Sequence, residues 1–254
     1  DVVWSEKYKE NENNLGILCG KIIDSLLVHF DVDVPDKIKK LISTSISSKP
    51  KALKNYYKGM SYIENTKTTE DLKNAKSNFN NAIKEDHNFV EAIAQLSITS
   101  EKLGYHHEAD KYIQEAIQLA EELGNESSLA VVYNCAGILY KTWNKYNKAI
   151  PFFKKAIKIQ IHLEDQFTEA KTLSSLAGCY NNTKDPETAL RLLSKSISIK
   201  EEIGEGRSLA YSYAELGNTN VTTGDLSASI LHFQKSLGKF TYYEMDFFIF
   251  RILI

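Results

Sequence analysis

Large and small apolar residues return along this chain with a period of 40 positions. Ile113, Phe153, Leu193 and Phe233 fall on that spacing, each with a small residue three positions later (Ala116, Ala156, Ser196, Ser236) and another four earlier (Ala109, Ala149, Ala189, Ser229). Offsets of three and four place side chains on one face of an α-helix, so each set predicts a helix with a small-large-small seam. A second periodic segment precedes each of the last three sets: Tyr133, Gly137 and Tyr140, then Leu173, Ala177 and Tyr180, then Tyr213, Gly217 and Asn220. Small residues between aromatics let two helices approach closely, which marks Gly137 and Ala156 as packing positions. Breakers fall between the paired helices at Gly104, Asn144 and Gly224 and between units at Gly124 and Gly204, where helix C-termini favour Gly or Asn. With four Pro and twelve Gly in 254 residues, the chain has few places to break a helix, and a mainly helical molecule is expected.

The order aromatic or Leu, Leu-Gly, Tyr, Ala, Phe, Ala resembles the tetratricopeptide repeat. It stands here as Tyr213, Leu216 and Gly217 in the first helix of a unit and Ala149, Phe153 and Ala156 in the second. The 40-residue length, with Glu-Leu-Gly-Asn at 122–125 joining two units, is similar to the longer-helix variety of kinesin light chains and bacterial peptide-sensing regulators. A looser unit shows Tyr56, Gly59, Tyr62, Ala75, Phe79 and Ala82. The resemblance implies an all-α, right-handed superhelix of about five helix-turn-helix repeats, at 50–85, 89–122, 126–163, 166–203 and 206–240.

Residues 1–49 follow a different pattern. An extended stretch to Tyr8 precedes an apolar-periodic helix with Ile17, Ile22, Ile23, Leu26 and Leu27, and Pro35 opens a short helix through Leu41. Trp4 to Tyr8, that helix, and Lys51 to Gly59 together resemble the end of a TolB N-terminal-like (FlgO-type) domain running into tetratricopeptide repeats. The resemblance implies a small α/β remnant at 1–49 and an upstream effector, such as the catalytic domain of a class III adenylate or guanylate cyclase. Asp1 lies inside an alternating Val2, Trp4 pattern with no leader, so the chain reads as a fragment, and a cytoplasmic site is expected. Residues 241–254 end in Phe-Phe-Ile-Phe-Arg-Ile-Leu-Ile, too short to span a bilayer. An apolar tail or cap laid over Phe233 and Leu237, with a second face available for self-association, is expected.

Composition narrows the function. Thirty-one Lys and Arg against 33 Asp and Glu give a net charge of −2, and only Arg191, Arg207 and Arg251 are arginines, so no field or bidentate donor set attracts nucleic acid. Cys19, Cys135 and Cys179 form no metal or disulfide pattern and read as buried thiols. Neither a phosphate-binding glycine loop, a zinc helix nor a nucleophile elbow is present. His106 and His107 are adjacent and diverge around a helix start, a poor metal geometry, and the Asp31, Asp33 pair lacks the Gly and Glu of a calcium loop. Neither catalysis by this chain, a metal nor a cofactor is expected.

What remains is recognition of a protein or peptide. In a superhelix whose first helices line the inside, non-core positions of those helices form a concave groove. Glu91, Ile98, Asn134, Lys141, Lys171, Asn181, Tyr211 and Asn218 are the expected groove residues. Asn134 and Asn218 would pair with a partner backbone, and Lys171 would receive a carboxylate. The expected function is a non-catalytic interaction or sensory scaffold that regulates a linked effector. A cyclase fragment and a peptide-sensing switch are the alternatives.

Overall fold

The computed structural model describes Ser47, 49–204 and 206–252; side chains are described to Lys239, except at Arg207. The expected α/β remnant and its Pro35 helix lie outside the described residues, as does Cys19. Among the described residues there are ten helices and no strand. They are α1 (Pro50–Glu64), α2 (Thr69–Glu85), α3 (Val90–Lys102), α4 (His106–Leu123), α5 (Glu126–Thr142), α6 (Tyr146–His162), α7 (Gln166–Asn182), α8 (Pro186–Glu202), α9 (Gly206–Thr223) and α10 (Leu226–Ile252). The chain divides into two compact units, Asp1–Cys135 and Ala136–Ile254, so that the boundary falls inside α5. In the first unit α1 packs on α2, α2 on α3 and α3 on α4; in the second α6 packs on α7 and each later helix on its successor. Turns this short join antiparallel neighbours, which is the helix-turn-helix repeat expected from the periodicity.

Local chemistry sets the helix ends. Thr68 and Asp71 form a reciprocal capping box at α2, and the Asp165 and Asp185 side chains accept from the backbone of Thr168 and Thr188 at α7 and α8. Gly104, Gly224 and Asn144 take left-handed backbones, with φ of 83°, 83° and 57°. Lys184 occupies the fourth position of this series at φ 63° without being Gly or Asn. The backbone N–H one residue beyond each reaches back five residues: Tyr105 to Ser100, Lys145 to Tyr140, Asp185 to Tyr180 and Asp225 to Asn220, at 2.8–2.9 Å. Between units, Glu164 (φ 58°) likewise stands at the position held by Gly124 and Gly204 in their own units.

The core is built from the periodic residues. Phe79, Phe153, Ile113 and Leu193 are fully buried. A Cβ added to Gly137 would come within 2.6 Å of the Phe153 ring, and one on Gly217 within 2.8 Å of Phe233. Gly59 faces Phe79 in the same way at 2.6 Å, despite the longer turn between α1 and α2. Where the ring is replaced by Leu193, the facing residue is Ala177, and both are fully buried. At Ser196 and Ser236 the small residue of the seam also donates a hydrogen bond, to the carbonyls of Ala170 and Ala210, at 2.6 and 2.8 Å.

The C-terminal end differs from expectation. α10 runs from Leu226 through Ile252 as one helix, with no break at 241. A segment that continues the helix cannot fold back over its own earlier turns, and Phe233 and Leu237 remain 38% and 68% exposed, so the cap expected over them is not formed. Among the described residues, no helix is long and apolar enough to cross a membrane.

Candidate functional site

In the second unit, the first helices of successive repeats, α7 and α9, lie close enough for their side chains to bond directly. Asn181 donates from Nδ2 to Thr219 Oγ1 at 2.8 Å, and the Ser174 and Ser212 hydroxyls are 3.2 Å apart. Lys141, at the end of α5, extends over α7, its Nζ 3.0 Å from where a Cβ of Gly178 would sit. Lys171, Tyr211 and Asn218 are exposed on α7 and α9, and Lys171 Nζ sits 3.7 Å from the centre of the Phe167 ring. Asn181 is half-buried and spent on Thr219, so it joins the two helices more than it faces solvent.

In the first unit, Ile98 and Asn134 are half-buried. Glu91 is a correction to the groove set: it is 5% exposed, and its Oε1 accepts from Ser128 Oγ at 2.6 Å. Burial pushes its carboxyl above the ordinary range, against the opposing pull of the Ser128 hydrogen bond. A charged residue near a helix start reads as surface in sequence. The Ser128 hydroxyl that receives it, 37 residues away, carries no signal of its own.

The sequence also conceals a set of polar bridges beneath the first-helix faces. Tyr133 and Tyr213 donate to Glu121 and Glu201 at 2.9 and 2.6 Å, which with burial raises both phenols to about 12. One position earlier in each partner, the bridge changes character from unit to unit: Gln160 donates to Thr172 at 3.0 Å and Lys200 to Ser212 at 2.6 Å. Lys200 is 3% exposed and also reaches Ser174 at 3.2 Å, so its ammonium is solvated by hydroxyls rather than water. Two serines on two helices, Ser174 and Ser212, are the trace of this in the sequence. A serine beside a lysine can serve as a nucleophile and its base, but Ser212 is 1% exposed, leaving no route for a substrate.

Chemistry elsewhere is sparse. Cys135 and Cys179 are buried, and burial raises their thiols to about 12 and about 11, away from the reactive thiolate. His106 Nδ1 lies 2.8 Å from Glu101 Oε2, an exposed local pair. No group of three or more His, Cys, Asp or Glu able to hold a metal occurs among the described residues.

Solved structures with this fold are helical-repeat proteins. BtubC (BKLC) from P. vanneervenii is 15% identical, with 92% of this chain and 91% of that chain covered at a TM-score of 0.63. A putative kinesin light chain of Podospora anserina with nearly identical tetratricopeptide-like repeats is 13% identical over 75% of this chain and 95% of its own, at 0.59. The signal transduction ATPase with a tetratricopeptide repeat sensor from Pyrococcus horikoshii gives 0.68 at 13% identity, covering 89% of this chain and 34% of that one. These likenesses establish the repeat fold. The model of the soluble NSF attachment protein family matches residues 100–246, more than half of the chain, and spans α4 to α9 and most of α10. With its 40-residue helix pairs, its glycine-on-phenylalanine seams and this match, the chain belongs to the soluble NSF attachment protein (SNAP) family of helical-repeat proteins.

Proposed function

We propose that this chain is a non-catalytic scaffold that captures a peptide or protein segment against the first-helix faces of its repeats. The observation that carries the reading is the pairing of α7 with α9. Beneath, their side chains are bonded to one another; Lys171 and Tyr211 hold equivalent positions one period apart, Asn218 follows two turns along α9, and all three are exposed, offering a cation, an aromatic ring and an amide to an extended or helical segment. The family name, which describes attachment of one protein to another, agrees with such a role, and the Pyrococcus protein's repeats are named as a sensor. Regulation of a linked effector, a cyclase among them, rests on the likeness of residues 1–60 alone. Within the second unit, Lys141 would border this surface; Ile98 and Asn134 hold first-helix positions of the first unit.

Peptides selected on the intact chain from a random library provide the test. Joint replacement of Lys171, Tyr211 and Asn218 by Ala should weaken the selected peptides at least tenfold while leaving the melting temperature nearly unchanged, since exposed substitutions shift stability by only about 0.5 kcal/mol. Undiminished affinity would place binding on another face.

Self-association is a second reading, favoured by Leu226, Ile230, Phe233 and Leu237, which form an exposed apolar stripe at helical spacing on α10.

A further inference from the structure

α10 shows solvent a side that the other second helices do not. Leu226, Ile230 and Leu237 are 62%, 60% and 68% exposed, and Phe233 joins them in one stripe at offsets of four, three and four. From Leu226 to Gln234 there is no Asp, Glu, Lys or Arg, and the half-exposed Leu231 stands where α8 carries Arg191. A helix that faces water carries polar residues on that side; α10 does not.

The repeats themselves show what such a stripe receives. One period earlier, Leu190, Leu193 and Ile197 of α8 share a core cluster with Leu209, Tyr213 and Leu216 of α9. Two periods earlier, Ile150, Phe153 and Ile157 of α6 share one with Leu176 and Cys179 of α7. The stripe is therefore the seat of a following helix. Glu244 continues the series of Gly124, Glu164 and Gly204, the left-handed residues at which the chain turns back, yet α10 runs unbroken through it to Ile252, so within the described residues no following helix takes the seat. A second copy stacked head to tail would not fill it either. Counted from the glycine that faces the ring, the positions of Leu209 and Leu216 on α9 are held on α1 by Lys51 and Lys58, both exposed.

We propose that the stripe seats α10 of a second copy of this chain, the two helices running antiparallel about a twofold axis. The proposal rests on the self-association reading and gives it a surface and a direction. Offsets of four, three and four are those of the inward positions of a coiled coil. In an antiparallel pair, Leu226 of one copy meets Leu237 of the other and Ile230 meets Phe233, and the symmetry makes each contact twice. The same register brings Asp225 level with Lys239 of the other copy, whereas a parallel pair would set Phe233 against Phe233 and Lys239 against Lys239. Ser227 and Gln234, beside the seam, bring no charge to it. A seam of about 17 Å is short, and it buries less than the ~800 Å² per partner of a standard stable complex. The pair is accordingly a reversible one.

Sedimentation velocity on the intact chain should show a monomer–dimer equilibrium that moves with concentration, and the K171A/Y211A/N218A variant should behave in the same way. L226E and L237K, both at exposed positions, should melt like wild type and each weaken dimerisation at least about tenfold, because each sets a charge against an apolar side chain of the other copy. The double variant L226E/L237K should dimerise at least about tenfold more tightly than L226E/L237E, since the antiparallel register brings the introduced Glu against the introduced Lys. A parallel pair would set like charges together in both double variants and gain nothing. A wild-type dimer that L226E leaves intact, that K171A/Y211A/N218A abolishes, or that the two double variants weaken equally would overturn the α10 pairing while leaving self-association standing. A wild type that stays monomeric at every concentration would overturn both.

Discussion

Gly137 and Phe153 show how a single side chain sets the helix spacing. The ring occupies the space that any Cβ at 137 would need, so Gly137→Ala is expected to cost about 1–3 kcal/mol by overpacking. The chain itself contains the compensation, because the repeat that carries Ala at this position carries Leu in place of Phe: Ala177 with Leu193. The double variant Gly137→Ala, Phe153→Leu should therefore recover more than half of the loss in a denaturant double-mutant cycle. Simple addition of the two single effects would show that the pair does not interact as described. Glu91 makes the opposite point. Its folded-state carboxyl is raised by burial above the unfolded value of about 4.3, so the neutral form is favoured in the fold. Its contribution is fully present below pH ~4.3 and is lost as the pH rises through the higher folded value. Glu91→Gln should raise the melting temperature of the first unit at pH 7 and leave it nearly unchanged at pH 4. A constant difference across that range would contradict the assignment. The glycine seam was legible in the sequence because sterics impose a spacing; the burial of Glu91 was not, since its partner Ser128 comes from a distant helix.

At the scale of the element, turn geometry survives the loss of its preferred residue. Gly104, Asn144 and Gly224 announced helix ends, whereas Lys184 and Glu164 adopt the same left-handed backbone with the same return bond from the next N–H, Asp185 to Tyr180 and Asp165 to Gln160. Local propensity therefore missed two turns that the 40-residue period itself could have located. A non-glycine residue in this conformation costs about 1–2 kcal/mol, and glycine's extra freedom in the unfolded chain offsets part of that gain. Glu164→Gly is expected to stabilise the second unit by about 0.5–1 kcal/mol in urea unfolding. Destabilisation would mean that the Glu164 side chain contributes more than its backbone costs. α10 marks the limit of pattern reading: the mostly apolar run from Phe247 suggested a separate segment, but no Pro or Gly there stops a helix, and the helix continues through Ile252.

For the whole molecule, the repeat period gave the fold class because each unit reuses one packing solution, while the binding surface was only partly readable. Positions 171, 211 and 218 emerge exposed as the register requires, whereas Asn181 is drawn into a bridge with Thr219 and Glu91 into the interior. The bonds among Ser174, Ser196, Ser212 and Lys200 depend on contacts between helices that no single helical pattern contains. The central claim is that the first-helix faces, not a catalytic centre, carry the function. Hydrogen exchange on the intact chain, with and without a peptide selected for binding, tests it most directly. The account predicts new protection in residues 166–182 and 206–223 that disappears in the Lys171, Tyr211, Asn218 alanine variant. Protection confined to α8 and α10, or unchanged in that variant, would contradict it.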